Sequence, residues 1–455
     1  MPKTKTKKTS GSFKLSVPYL FLLVMLTIIS IVSRFVLDLN PQILEHQEFD
    51  VFVVGSILFL GFVINRISPK TAIPSFVWVI FAGMAMQPLL ESFTAEVELL
   101  KIMMEVFAAI ILFYGGMEIP FKNFQKWFFP IATLSLVGVA LSSVLFSLLL
   151  YGLSIAIGIF DPSLLPSIVI LSVALASTDP TALIPVLDKL KFKRSYIKEI
   201  AISESALTDI SGSILTRFLL VAFLSISAAQ RSPFDYFAPL IQKDTYDEFA
   251  LQIMTGVIVG WLGYSLIKSL YKRRAEGQDH TDPALLLAVP IFTFSLGNVL
   301  GGAGFLAAFV AGLMSESSKP IKEASEFYDH ILEHLVHPFI FIILGALIPL
   351  TLFLEYAPLG LMSAFVFMFV IRPLVVFLSL SPWLYKGKFQ FADLVFFSFI
   401  RETGIIAAVL LVIASSFNVI QSDFVIAIGM WIILITLVVE PPLTPWLARR
   451  VGVAE

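Results

Sequence analysis

Cysteine is absent from all 455 residues. That rules out disulfides, thiolate metal centres and lipidated cysteines. Histidine is scarce, five in all, and a zinc site is not expected. Charge is scarce as well, at 14% of residues. A water-soluble chain of this length would divide into several domains and need far more charge to cover them. A net charge of −2 gives no signal for nucleic acid. No cleavable leader is expected, since the first apolar run is too long and lacks a small-residue cleavage pattern.

What the chain does contain is apolar surface. Hydrophobic residues make up 58% and the mean hydropathy is +0.91. Apolar segments of about 20 residues, each able to cross ~30 Å of hydrocarbon, fill nearly the whole sequence. They fall near 17–37, 50–65, 73–90, 99–117, 129–159, 164–187, 197–227, 249–271, 284–299, 302–316, 331–354, 357–381, 391–416 and 422–446. The expected fold is therefore an all-α polytopic membrane protein with about 14 transmembrane helices. Between the ninth and tenth spans, Gly301, Gly302 and Gly304 leave room only for a tight turn, and they suit close packing of helix backbones.

Lys and Arg set the orientation. The tail carries Lys3, Lys5, Lys7, Lys8 and Lys14, whereas the next loop has neither residue type. Arg66 and Lys70 follow, then an acidic loop with Glu91, Glu96 and Glu98, then Lys122 and Lys126. Further basic sets are Lys189, Lys191, Lys193 and Arg194; Lys272, Arg273 and Arg274; Lys319 and Lys322; Lys386 and Lys388; and Arg449 and Arg450. Every second loop is the basic one. Both termini are expected in the cytoplasm, with no soluble regulatory domain after the last span.

Acids inside such spans are costly, roughly 2.5–3.5 kcal/mol at a helix centre on insertion scales, and so mark function. Ile200 to Leu215 carries two of them, Glu204 and Asp209. Just before it, Thr178, Asp179 and Pro180 interrupt the sixth span. Pro180 starts a half-helix more readily than it continues a whole one, and Thr178 or Asp179 stands where a capping side chain is wanted. A plain proline kink is the blander alternative; an aspartate in mid-span favours a functional break. Ser205 and Asp209 share a helix face. Glu204 lies about 140° around from Asp209, so the two acids are expected to do different jobs.

Buried bases should answer these acids. Arg372 and Arg401 both lie within apolar spans. Arginine stays charged and can hold a carboxylate ionised without itself releasing a proton. Glu204 is expected to pair with Arg372. Arg401 is expected at the negative end of a half-helix in the thirteenth span, where Arg401, Glu402, Thr403 and Gly404 interrupt the apolar run. Arg34, Glu105, Arg217 and Glu440 are placed near span ends. The breaks in spans six and thirteen are seven spans apart and would cross in opposite senses. That sets spans 5–7 against spans 12–14 as an inverted repeat, the arrangement that marks a transporter's binding site.

With these motifs in hand, the chain resembles the monovalent cation/proton antiporters, specifically the sodium/proton exchanger branch. LFYGGMEI, ASTDPTALIPVL, SESALTD, GGAGFLAAFVAGL, FIILGALI and IRPLVV occur in family order from the fourth span onward. The resemblance implies a homodimer in the lipid bilayer and a core with two crossed, discontinuous helices. It implies that Asp179, Asp209 and Ser205 ligate Na+, that the Thr178 main chain assists, and that Glu204 acts through water and by pairing with Arg372. Pro180, Thr208, Arg401 and Glu402 would support the broken helices. No cofactor and no enzymatic activity are implied; the transported species would be H+ and Na+, or Li+ or K+.

Thr208-Asp209 departs from the Asn-Asp and Asp-Asp pairs of the two family branches. Thr cannot ionise, which leaves Asp209 as the group that trades a proton for a cation and points to electroneutral exchange. In RETG, where many relatives have Arg-Gly, Glu402 is the expected local neutraliser of Arg401. The expected segments are a basic tail over 1–16, scaffold and dimer helices over 17–128, and core helices over 129–228. Linking and scaffold helices over 229–356, core helices over 357–446 and a short tail over 447–455 complete the chain. The alternatives are K+/H+ or poorly selective exchange on the same fold, a cation channel, and an intramembrane hydrolase, which lacks any resembling motif. A plasma (inner) membrane location is expected.

Overall fold

The computed structural model describes residues 11–39, 47–71, 73–225, 232–238, 243–272, 283–315, 327–417 and 420–455. Lys3, Lys5, Lys7, Lys8, Arg273, Arg274, Lys319 and Lys322, on which part of the orientation reading rests, lie outside these residues. Helix dominates throughout. The chain runs through α1 (Gly11–Leu39), α2 (Gln47–Ile67), α3 (Ser75–Ala95) and α4 (Val97–Met117). Next come α5 (Phe121–Ile157), a sixth helix in two pieces, α6a (Leu165–Ala174) and α6b (Pro180–Leu187), and α7 (Ser195–Ser225). They are followed by α8 (Lys243–Lys272), α9 (Pro283–Val299), α10 (Gly304–Ser315), α11 (Phe327–Ala346) and α12 (Ala357–Tyr385). A second divided helix, α13a (Phe391–Ser398) and α13b (Ile405–Ser415), leads into α14 (Ser422–Arg450). By length and composition alone, 8 of the described helices are able to cross a membrane, and shorter apolar helices accompany them.

Several span boundaries differ from the sequence reading, and two of them have a local cause. α5 begins at Phe121, so Lys122 and Lys126 stand on its first turns rather than in a loop. Pro120 at the N-cap starts this helix early, and Phe124 already packs inward. The eleventh span, read as 331–354, ends at Ala346; a separate short helix, Leu350–Glu355, follows. Pro349 lies between them and has no N–H to continue the ladder.

The described residues form two compact units. In the first, residues 1–96 and 333–349, α3 packs closely on the part of α11 that belongs to this unit and on α1. In the second, residues 97–332 and 350–455, α10 lies against α4 and α8, while α5, α7, α12 and α14 pack around the two divided helices. The turn between α9 and α10 depends on its glycines. Gly301 has φ +72°, and a β-carbon on Gly302 or Gly304 would lie 2.7 Å from Thr255 or 2.4 Å from the Phe294 carbonyl.

The second unit repeats one sequence of elements. α5 contains a π-helical turn at Thr133–Val137, and α12 contains one at Phe367–Ile371. Each of these helices precedes a divided helix and then a long one, α7 or α14. The start of α13a is fixed by Asp393, whose carboxylate accepts from the Gln390 N–H at 2.8 Å and the Tyr196 hydroxyl at 2.7 Å and pairs with Arg194. Burial first, and then the bond to Asp393, push the Tyr196 phenol up from its ordinary value, so it stays a donor.

Candidate functional site

The site grows from the two interruptions. α6a ends at Ala174 and α6b begins at Pro180, whose missing N–H costs nothing at a first helical position. α13a ends at Ser398, and α13b begins at Ile405. The interruptions touch: the Asp179 N–H donates to the Glu402 carbonyl at 2.6 Å.

One carboxylate caps both restarted half-helices. Asp179 Oδ1 accepts from the Thr181 N–H at 2.8 Å and from the Thr181 hydroxyl at 2.6 Å. Its Oδ2 accepts from the Ile405 N–H at 3.0 Å. The N-terminus of a helix carries roughly +0.5 of a charge, so two such ends converge on this one acid. Gly404 completes the fit, because a β-carbon there would stand 1.9 Å from Asp179 Oδ2.

Arginines meet the opposite, negative ends. Arg401 Nη2 donates to the Leu175 carbonyl at 2.9 Å, at the end of α6a, and its guanidinium lies 4.1 Å from the centre of the Phe367 ring. Arg372 Nη2 donates to the Ile400 carbonyl at 3.2 Å, just beyond α13a. Arg401 thus belongs by sequence to one broken helix and by contact to the other.

α7 supplies the remaining groups. Arg372 Nη1 and Nη2 donate to Glu204 Oε1 and Oε2 at 3.0 and 3.1 Å, a two-pronged ion pair with side chains 3% and 4% exposed. Thr208 Oγ1 accepts from the Thr178 N–H at 3.1 Å, lies 2.8 Å from the Thr178 hydroxyl and donates to the Ser205 carbonyl at 2.7 Å. It therefore pins α7 to the first interruption. One turn along the face from Ser205 is Asp209. Ser205 Oγ and Asp209 Oδ2 are buried and make no hydrogen bond among the described residues. The Asp209 carboxyl is within electrostatic reach of Asp179 and Glu204.

Chemically, this is a buried cluster in which a carboxylate oxygen and a hydroxyl are left free by hydrogen bonds within the described residues, near a second carboxylate. Hard oxygen donors of this kind suit a small alkali cation or a proton. Among the described residues no group of three or more His, Asp or Glu side chains is arranged to hold a metal ion.

Three sequence expectations need correction. Glu440, assigned to a span end, is 2% exposed, and its Oε2 accepts from the Arg401 N–H at 2.6 Å. α14 continues through Pro441, Pro442 and Pro445 to Arg450, which leaves Glu440 well inside it. Glu402 does not neutralise Arg401: both its carboxylate oxygens are buried without a hydrogen-bond partner, and the guanidinium turns to α6a instead. Arg217 and Glu105, also read as span-end residues, pair with each other at 2.7 Å, and Arg217 bonds Asn298 Oδ1 at 2.9 Å. Thr181 escaped the sequence reading altogether; its place after Asp179-Pro180 was the available signal.

A profile of the family described as sodium/hydrogen exchanger, transmembrane, matches residues 54–450. The K(+)/H(+) antiporter NhaP2 of Shewanella sp. (strain ANA-3) is 25% identical over 334 residues, 73% of this chain and 54% of that protein. The chain thus spans about half the length of this curated relative. Na(+)/H(+) antiporter 1 of Methanocaldococcus jannaschii is 24% identical over 379 residues, 79% of this chain and 82% of that protein. The solved structure of the sodium proton antiporter MjNhaP1 from Methanocaldococcus jannaschii at pH 8 matches with a TM-score of 0.69 at 20% identity. It covers 88% of this chain and 98% of the other, a likeness of fold.

Proposed function

Because the chain belongs to the sodium/hydrogen exchanger family, we propose that it exchanges a monovalent cation for a proton across a membrane, with the two competing at Asp209. The observation that carries this is the open Asp209 oxygen on the same face of α7 as the open Ser205 hydroxyl, both buried and near the doubly bonded Asp179. Asp209 holds either the proton or, when ionised, the cation, with Ser205 and Asp179 alongside and the Thr178 main chain assisting. Glu204 acts at one remove, held by Arg372.

An empty, ionised pocket inside lipid is costly, so only the loaded core crosses. The core helices, over 129–228 and 357–446, then shift as a near-rigid body against scaffold helices over 17–128 and 229–356. Thr208 carries no charge and Arg372 releases no proton, so one cation replaces one proton and the cycle is electroneutral. Na+ is the preferred ion in this reading. K+ is the second reading, and the Shewanella relative named for K(+)/H(+) antiport supports it. A homodimer in a plasma membrane, with both termini cytoplasmic, completes the proposal.

The test is dissipation of a pH gradient in proteoliposomes with Na+, Li+ and K+ salts in turn. Proton flux that follows at least one of these cations is expected. Cation flux that needs no counter-proton contradicts exchange and favours a channel.

A further inference from the structure

A second pair of buried carboxylates lies at the other interruption. Glu402 is 1% exposed, and neither of its oxygens has a hydrogen-bond partner among the described residues. Glu440 approaches the same tetrapeptide from α14, with Oε2 on the Arg401 N–H at 2.6 Å. The two acids are electrostatic neighbours. The nearby charged groups are Asp179 and Arg372 around Glu402, and Arg401 and Arg372 around Glu440.

Matching the acids around the two interruptions to their donors leaves two with an open oxygen, Asp209 at Oδ2 and Glu402 at both. Asp179 takes two helix N-termini, Glu204 takes Arg372, and Glu440 takes the Arg401 N–H. Asp209 and Glu402 remain. Asp209 already has a ligand in the exchange cycle; Glu402 has none. A buried carboxylate without a donor must hold either a proton or a cation.

The face of α14 that meets this interruption supports a ligand there. Thr436, Glu440 and Thr444 recur every fourth residue and so share one side of the helix. Thr436 reaches the Thr403 carbonyl at 3.4 Å, whereas the Thr444 and Thr403 hydroxyls are buried without partners. The set repeats the chemistry of the first site: one carboxylate on the interruption, one on the long helix after it, and free hydroxyls beside them. Asp179, Asp209 and Ser205 are that set in the first half; Glu402, Glu440, Thr403 and Thr444 are its counterpart in the second.

We propose that Glu402 and Glu440 form a second binding site for a monovalent alkali cation, on the second broken helix and separate from the exchange site. The donors are hard oxygens, and they are too few for a divalent or transition metal, in keeping with the lack of any three-residue metal cluster among the described residues. The inference rests on the exchanger reading only for the class of ion.

Binding stoichiometry tests it. Purified full-length protein would be equilibrated at alkaline pH with radiolabelled Na+ and, separately, with Rb+ as a tracer for K+. Two ions per protomer are expected for at least one of them. Asp209→Asn and Glu402→Gln should each reduce the count to one, and the double variant to none, with melting curves checking that each variant folds. One ion per wild-type protomer overturns the proposal whether or not the variants fold, and leaves the two glutamates sharing a proton. Two ions in wild type with an unchanged count in both Glu402→Gln and Glu440→Gln overturns it as well. Exchange in vesicles is a separate readout: its loss in Asp209→Asn bears on the antiport reading and leaves the ion count to decide the second site.

Discussion

Gly404 and Asp179 are in contact so close that no side chain fits between them: a β-carbon on Gly404 would stand 1.9 Å from Asp179 Oδ2. Asp179 is the N-cap of α6b, and its carboxylate also accepts from the first N–H of α13b, whose own N-cap is Gly404. The position of one carboxylate therefore sets the geometry of both broken helices.

Gly404→Ala should displace that carboxylate and weaken both caps. Overpacking of this kind costs about 1–3 kcal/mol. A lower melting temperature together with a sharp fall in exchange is expected. Wild-type exchange in a normally folded Gly404→Ala protein would mean that Asp179 tolerates movement and that the cap is not critical.

The Glu204–Arg372 pair is dehydrated, so removing one partner leaves a bare buried charge at a cost of about 3–5 kcal/mol. Arg372→Met and Glu204→Gln should each destabilise, the first more, since it strands a carboxylate and also frees the Ile400 carbonyl. The double variant should recover part of that loss. Unfolding in denaturant measures all three, and strictly additive losses would deny the coupling.

Thr208 is the residue that ties α7 to the first interruption. Thr208→Val keeps the shape but leaves the buried Thr178 N–H without an acceptor, a penalty of about 1–3 kcal/mol. Thr208→Ser keeps the oxygen and should behave nearly as wild type in melting and in exchange. Equal behaviour of the Val and Ser variants would contradict a role for this bond.

The proposed electroneutrality rests on Thr208 and on arginine rather than lysine at position 372. Exchange in proteoliposomes should be insensitive to an imposed potential set with valinomycin and K+, provided the assay cation is Na+ or Li+. A rate that tracks the potential would require another charge to move in the cycle.

Much of this was readable from sequence because membrane interiors make charge conspicuous. Glu204 and Arg372 stood out as an acid and a base in long apolar runs, and they lie 3.0 Å apart. Asp179-Pro180 announced a helix start by elementary backbone chemistry, and the start is there. What failed did so for local reasons. Glu440 stands near the end of the span read over 422–446, yet α14 runs on to Arg450 and the acid turns inward to the Arg401 N–H. Arg401 and Glu402 are neighbours in sequence, but at an interruption the backbone changes direction and neighbouring side chains part. The guanidinium therefore serves the end of α6a, and Glu402 is left without it. The double duty of Asp179 depends on α13b arriving beside it, which no local pattern could disclose.

The most direct test of the central claim, that cation and proton take turns on one carboxylate, is exchange by Asp209→Asn in proteoliposomes. Asparagine has nearly the same shape and cannot ionise. The expected result is a folded protein that dissipates no pH gradient with Na+, Li+ or K+. Cation-driven proton flux at the wild-type rate in that variant would move the exchange to another residue and contradict the mechanism.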